Sequence, residues 1–199
     1  MSRKHSRKYQ PKRRTNRTHP RDIRPRFLIV CEGKTEQLYF EAFRVPGDVI
    51  ELGYNTNSLV QETIELRDED GGYDQVWCVF DKDDFPLQNF NRAITLAQQH
   101  GIQVAYSNEA FELWYLLHFD YIDTAMSRHS YQQRLTNRLG FPYRKNDPKM
   151  YETLQDKQAV AIRNAENLLQ SYGDRHNPAN DNPCTTVHWL VKELNRFAR

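Results

Sequence analysis

Two short acidic patterns hold the residues best suited to chemistry in this chain. The first is Glu32-Gly33-Lys34-Thr35-Glu36, directly after the apolar run Phe27-Leu28-Ile29-Val30-Cys31. The second is Asp81-Lys82-Asp83-Asp84, directly after Val76-Trp77-Cys78-Val79-Phe80. Glu32 and Glu36 are four residues apart, so a helix that starts promptly puts both on one face. Asp81 and Asp83, separated by one residue of extended chain, point the same way. Carboxylates gathered in one place repel each other unless a hard cation joins them, which makes Mg²⁺ or Mn²⁺ the expected cofactor. Such ions hold phosphate oxygens, make a nucleophilic hydroxide and stabilise a leaving group. Lys34 and Lys82, interleaved among the acids, could offset phosphate charge. Each acid also has a plainer reading. An Asp at a strand end commonly caps the next helix, and Glu36 could be a solvated helix residue.

Other candidates are weaker. Glu112 follows Phe111 and precedes Leu113-Trp114, so its charge is expected to be partly buried, which makes it a better functional acid than Glu109. His118 follows Leu116-Leu117 and reads as a core or boundary histidine. The Gly33-Lys34-Thr35 triplet lacks the upstream glycine loop of a nucleotide-binding P-loop. No Cys/His pairs recur at zinc-ligand spacing.

The elements that must position these acids follow from hydrophobic patterning. Residues 27–31 and 76–80 are continuous apolar runs, as expected of strands buried on both faces. Residues 49–52 form a weaker strand candidate, and 102–106 a further one. Helical spacing covers 35–44, 58–66 (with Asn57 as a possible cap), 88–99 and 110–119. Strands separated by helices of this length imply βαβ units: an α/β fold with a parallel sheet of about four strands flanked by helices. In such sheets ligands bind beyond the carboxyl ends of the strands, where both acidic patterns fall. Beyond residue 120 the pattern is helical only, at 130–139, 151–169 and 185–197, with a polar loop at 171–183. The expected organisation is a basic, disordered tail at 1–25, an α/β core at 26–119 and a helical C-terminal extension at 120–199 packed on the core.

Charge divides the chain more sharply than its formal net of +2 suggests. Residues 1–26 carry 11 Lys and Arg against the single acid Asp22, leaving 17 basic and 25 acidic residues in 27–199. A tail bearing Arg3, Lys4, Arg7, Lys8, Lys12, Arg13, Arg14 and Arg17 would attract RNA or DNA in a salt-dependent, sequence-blind way. The bland alternative is a solubilising arm. No apolar run reaches the length of a membrane span, and no signal-peptide pattern opens the chain. Cys31 and Cys78 lie inside apolar runs as expected of reduced thiols, so the expected compartment is the cytoplasm, with no membrane partner.

At the acidic patterns the chain resembles the Toprim signature, a Glu after the first strand and an Asp-x-Asp after a later one. The fuller resemblance is to the RloB-like family, related to an abortive-infection protein and found near restriction-modification loci. It rests on Ser107 through Phe119, on Tyr143-Arg144-Lys145 with Lys149-Met150-Tyr151, and on Asn182-Pro183-Cys184-Thr185-Thr186-Val187-His188. The resemblance implies a Toprim-like core, Mg²⁺ at Glu32, Asp81 and Asp83, Glu36 as a further candidate ligand, and anti-phage defence. The leading expectation is a metal-dependent nuclease acting on RNA or DNA. Glu36 or Glu112 would orient or deprotonate the attacking water, and Lys34 or Lys82 would steady the scissile phosphate. The alternative is a non-catalytic nucleic-acid-binding or toxin subunit working with a partner ATPase encoded nearby. Primase-like nucleotidyl transfer is a third reading, and Tyr39, Tyr115 and Tyr151 stay open as nucleophiles for transesterification.

Overall fold

The computed structural model describes residues 24–53, 56–82 and 86–198. Asp83 and the tail cations Arg3, Lys4, Arg7, Lys8, Lys12, Arg13, Arg14 and Arg17 lie outside the described residues. In chain order the first elements are β1 (Phe27–Cys31), α1 (Lys34–Glu41), β2 (Gly47–Glu51), α2 (Thr56–Asp70), β3 (Gln75–Asp81), α3 (Leu87–Gln99) and β4 (Gln103–Asn108). They are followed by α4 (Glu112–Leu117), α5 (Arg128–Leu139), α6 (Met150–Leu154), α7 (Gln158–Tyr172), β5 (Cys184–Thr185) and α8 (Val187–Asn195).

β1 is wholly buried because parallel strands flank it on both edges and helices cover both of its faces. Its side chains alternate between two cores. Phe27, Ile29 and Cys31 enter one, and Leu28 and Val30 the other. β3 divides in the same way, with Trp77 and Val79 on the first face and Val76, Cys78 and Phe80 on the second. This is the period of two expected of a sheet covered on both sides. Leu59, Val60 and Ile64 of α2, and Phe90, Ala93, Ile94 and Ala97 of α3, fill the second face. The first face takes α1 together with apolar residues of α4, α5, α6, α7 and α8. At the start of β2 the chain runs so close to β1 that a Cβ on Gly47 would collide with the Phe27 carbonyl.

The sheet order is β2-β1-β3-β4-β5, with four parallel strands and an antiparallel fifth. The patterning reads four strands and none beyond residue 120. β5 escaped it because two residues show no periodicity. It pairs only through Ser107 with Thr185 and Asn108 with Cys184. The helix expected over 151–169 is interrupted by a 3-10 turn at Gln155–Lys157, which separates α6 from α7. Asn57 lies inside α2 rather than ahead of it, since that helix begins at Thr56. Cys31, Cys78 and Cys184 are all buried free thiols. Among the described residues, no helix is long and apolar enough to cross a membrane.

Candidate active site

The strand order fixes where a site forms. The chain leaves β1 toward β2 on one side and then crosses to β3 on the other, so the direction of winding reverses between β1 and β3. A crevice opens at the carboxyl ends of strands at such a reversal. Glu32 follows β1 and Asp81 ends β3, and the register sets Cys31 opposite Val79. The two acids are joined directly. The Asp81 amide donates to Glu32 Oε2 at 3.3 Å, and Asp81 Oδ2 accepts the Phe111 amide at 3.1 Å.

Glu36 joins them from the first turn of α1, with only 6% of its surface exposed. Gly33 makes the room. A Cβ there would stand 2.7 Å from Glu36 Oε2, although the Gly33 backbone at φ −127° is open to any residue. The glycine in the Glu-Gly-x-x-Glu pattern is thus a matter of space beside a carboxylate.

Glu32, Gly33, Lys34, Glu36, Glu51 and Asp81 line a cleft of about 270 Å³ together with Arg128, Lys145 and Asn146. A larger, mostly apolar recess of about 480 Å³, lined by Trp77, Ile94, Val104, Tyr106 and Trp189 among others, holds none of these acids.

Burial and mutual repulsion set the protonation of the cluster. Burial, with the nearby Glu36 charge, outweighs the Asp81 amide bond and pushes Glu32 up to about 7. Burial, with the Glu112 charge, likewise pushes Glu36 up to about 7. Asp81 is raised well above the usual carboxylate range by burial and by Glu36, Glu112 and Glu32. Arg128 and Lys145 pull Glu32 and Glu36 the other way.

Of the remaining candidates, Lys34 is exposed at the rim and donates to Gln37 Oε1 at 2.7 Å. Lys82 does not line the cleft; its backbone amide extends the sheet by donating to the Ser107 carbonyl at 2.9 Å. Glu112 is 3% exposed and lies behind the cleft, where its Oε1 accepts from Tyr143 Oη at 3.2 Å and Gln132 Nε2 at 3.4 Å. His118 sits in the core against Trp114, held near the Trp114 carbonyl at 2.9 Å, and burial lowers it to about 4. Sequence reasoning missed Glu51, Arg128, Lys145 and Asn146. Glu51 ends β2 at the same sheet edge and could have been found there; the others come from a segment with no spacing that points to the cleft.

The donors are all carboxylate oxygens, the chemistry that hard divalent cations take. Among the described residues, no three His, Cys, Asp or Glu side chains converge tightly enough to hold a metal ion as they stand. The donor chemistry therefore fits Mg²⁺ or Mn²⁺, while the described side chains do not by themselves close a coordination shell.

The sequence model of the family described as RloB-like protein matches residues 27–194. The chain belongs to the RloB-like family. In this RloB-like protein the matched span runs from the first residue of β1 into α8, taking in the carboxylates and the basic wall of the cleft alike. No curated protein and no solved structure matches the chain.

Proposed function

We propose that this RloB-like protein is a metal-dependent nuclease of the Toprim type that acts on RNA or DNA, in bacterial anti-phage defence of the abortive-infection kind. The observation that carries the reading is the joined pair Glu32 and Asp81 at the winding reversal, with Glu36 buried beside them and cations lining the same cleft. A Mg²⁺ or Mn²⁺ held by Glu32, Asp81 and Asp83 would stabilise the charge that develops on the phosphodiester. Glu36 orients or deprotonates the water that attacks phosphorus, and the P–O bond to the leaving nucleoside breaks. Glu36 suits this role better than Glu112, whose carboxylate is already engaged behind the cleft. Lys34 lies at the rim where the scissile phosphate would enter, whereas Lys82 does not. The basic tail would raise the local concentration of nucleic acid.

The test is a cleavage assay of the full chain on tRNA, single-stranded DNA and duplex DNA with Mg²⁺, Mn²⁺ or EDTA. Cutting that EDTA abolishes supports the reading and names the substrate class. The second reading is a non-catalytic subunit working with a partner ATPase. Silence in every arm, with a partner recovered by pull-down, would put that reading first.

A pH-dependent metal response is expected. Glu32 and Glu36 hold protons more tightly folded than unfolded, so the metal-free protein loses stability as pH rises from about 4.5 through about 7. Protons and metal compete for the same oxygens. Millimolar Mg²⁺ is therefore expected to raise the melting temperature by several degrees near pH 8 and hardly at all near pH 6. Equal shifts at both values would mean that the cation binds elsewhere.

A further inference from the structure

Part of the cleft's lining comes from a separate stretch of chain, and it is basic. Arg128 is the first residue of α5, and Lys145 lies in the loop between α5 and α6. Both side chains line the cleft that holds Glu32, Glu36 and Asp81.

Four contacts fix this wall in place. Ser127 caps α5, its Oγ accepting the Ser130 amide at 3.3 Å, which sets where the helix starts and hence where Arg128 stands. At the other end Gly140, at φ 76°, closes α5, its amide donating to the Thr136 carbonyl. Asn146, at φ 64°, accepts a 2.8 Å bond from the buried Thr35 hydroxyl, next to Glu36. Glu112 ties both pieces down from behind, through Gln132 of α5 and Tyr143 of the loop. A buried carboxylate with two neutral donors, set beneath two lysine- and arginine-bearing segments, is a strut for those segments.

We infer that Arg128 and Lys145 bind the substrate's backbone phosphates in the cleft that the carboxylates line, with Glu112 and Asn146 as positioning residues for them. The inference rests on the nuclease reading and assigns the residues 128–146 a part in it, as the substrate-holding wall. A cleft that carries guanidinium and ammonium groups as well as acids suits a polyanion, since the acids alone would repel it. Arg128 offers a planar fork to two phosphate oxygens, and Lys145 a point charge.

The test measures binding of the full chain to short single-stranded RNA and DNA oligonucleotides in EDTA across a salt series, beside cleavage in Mg²⁺. Arg128→Ala/Lys145→Ala is expected to weaken binding about 10- to 100-fold and raise KM similarly. Loss of two phosphate contacts should also flatten the log–log salt slope by about 1.4. The alanine variant should still fold, and the charge-keeping Arg128→Lys/Lys145→Arg variant should recover both affinity and slope. Unchanged affinity and slope in the alanine variant overturn the inference, whether or not the wild type cuts. A flattened slope in a protein that never cuts upholds the phosphate contacts and sinks the nuclease reading alone. A lowered melting temperature with no rescue by the charge-keeping variant assigns the two residues a purely structural role.

Discussion

Asp81→Asn is expected to lower cleavage about a thousandfold, roughly 4 kcal/mol of barrier, while raising the melting temperature. The two effects have one cause. Asp81 sits among Glu32, Glu36 and Glu112, and burial together with their charges makes its own charge costly there. The asparagine carbonyl can still accept the Phe111 amide that Asp81 Oδ2 takes at 3.1 Å, so the local backbone keeps its partner. What disappears is a charge useful only once a cation is present. Relief of about 1–2 kcal/mol would appear as about 2–8 °C in a domain of this size. Because the folded pKa of Asp81 is raised, its destabilising effect grows as pH rises, so the gain should be largest in alkaline, metal-free buffer. Cleavage assays and thermal melts of the same preparation check both halves. Cleavage retained within a few-fold would remove Asp81 from the chemistry. A fall in melting temperature would mean that a neighbouring cation, such as Arg128, stabilises the charge instead.

Truncating Tyr39 to Ala is expected to cost about 3–5 kcal/mol of folding stability, the largest loss foreseen for a single residue here. Tyr39 is 2% exposed and lies at the centre of an aromatic cluster. Its ring centroid lies 5.4 Å from Phe40, 5.6 Å from Tyr115 and 5.7 Å from Phe43, Phe111 and Tyr151. Those rings belong to α1, to the α4 region and to α6, so the cluster binds the first helix of the sheet to the C-terminal half of the chain. Tyr39→Phe keeps the ring and gives up the hydroxyl's contacts with the Trp114 side chain and with Gln158, whose Nε2 donates to it at 3.5 Å. It should leave both stability and cleavage close to wild type. Burial pushes the Tyr39 and Tyr115 hydroxyls well above the ordinary tyrosine range, a poor setting for a nucleophile. Denaturant melts separate the two variants. A Tyr39→Phe protein that folds but cannot cut would reopen the transesterification reading.

Much of the fold was legible because burial on both faces leaves a mark that local sequence carries. Residues 27–31 and 76–80 are apolar throughout, since each side of those strands meets a layer of helices. Glu32 and Asp81 were legible for the same reason: they are the first acids where those runs stop. β2 was fainter because it lies at the edge of the sheet and its residues are half-buried or exposed, and with it Glu51 was overlooked. β5 left no periodic trace in two residues; its place depends on the edge that β4 offers.

The sequence by itself determined the alternation of strands and helices, the family and the two acidic patterns at strand ends. These are local properties: apolar runs, helical spacing, and residues adjacent in the chain. Tertiary structure decided which acids meet and what faces them. Strand order brought Glu32 beside Asp81 across 49 positions of sequence. It sent Glu112 behind the cleft as a partner of Tyr143 and Gln132, and it carried Arg128, Lys145 and Asn146 to the front. Thr35 and Asn146 are 111 positions apart, yet one 2.8 Å bond joins the start of α1 to the basic wall. Contacts at such separations have no period in the sequence. They exist because one face of the sheet buries its apolar surface against the C-terminal helices, and that packing places their charged residues at the open end.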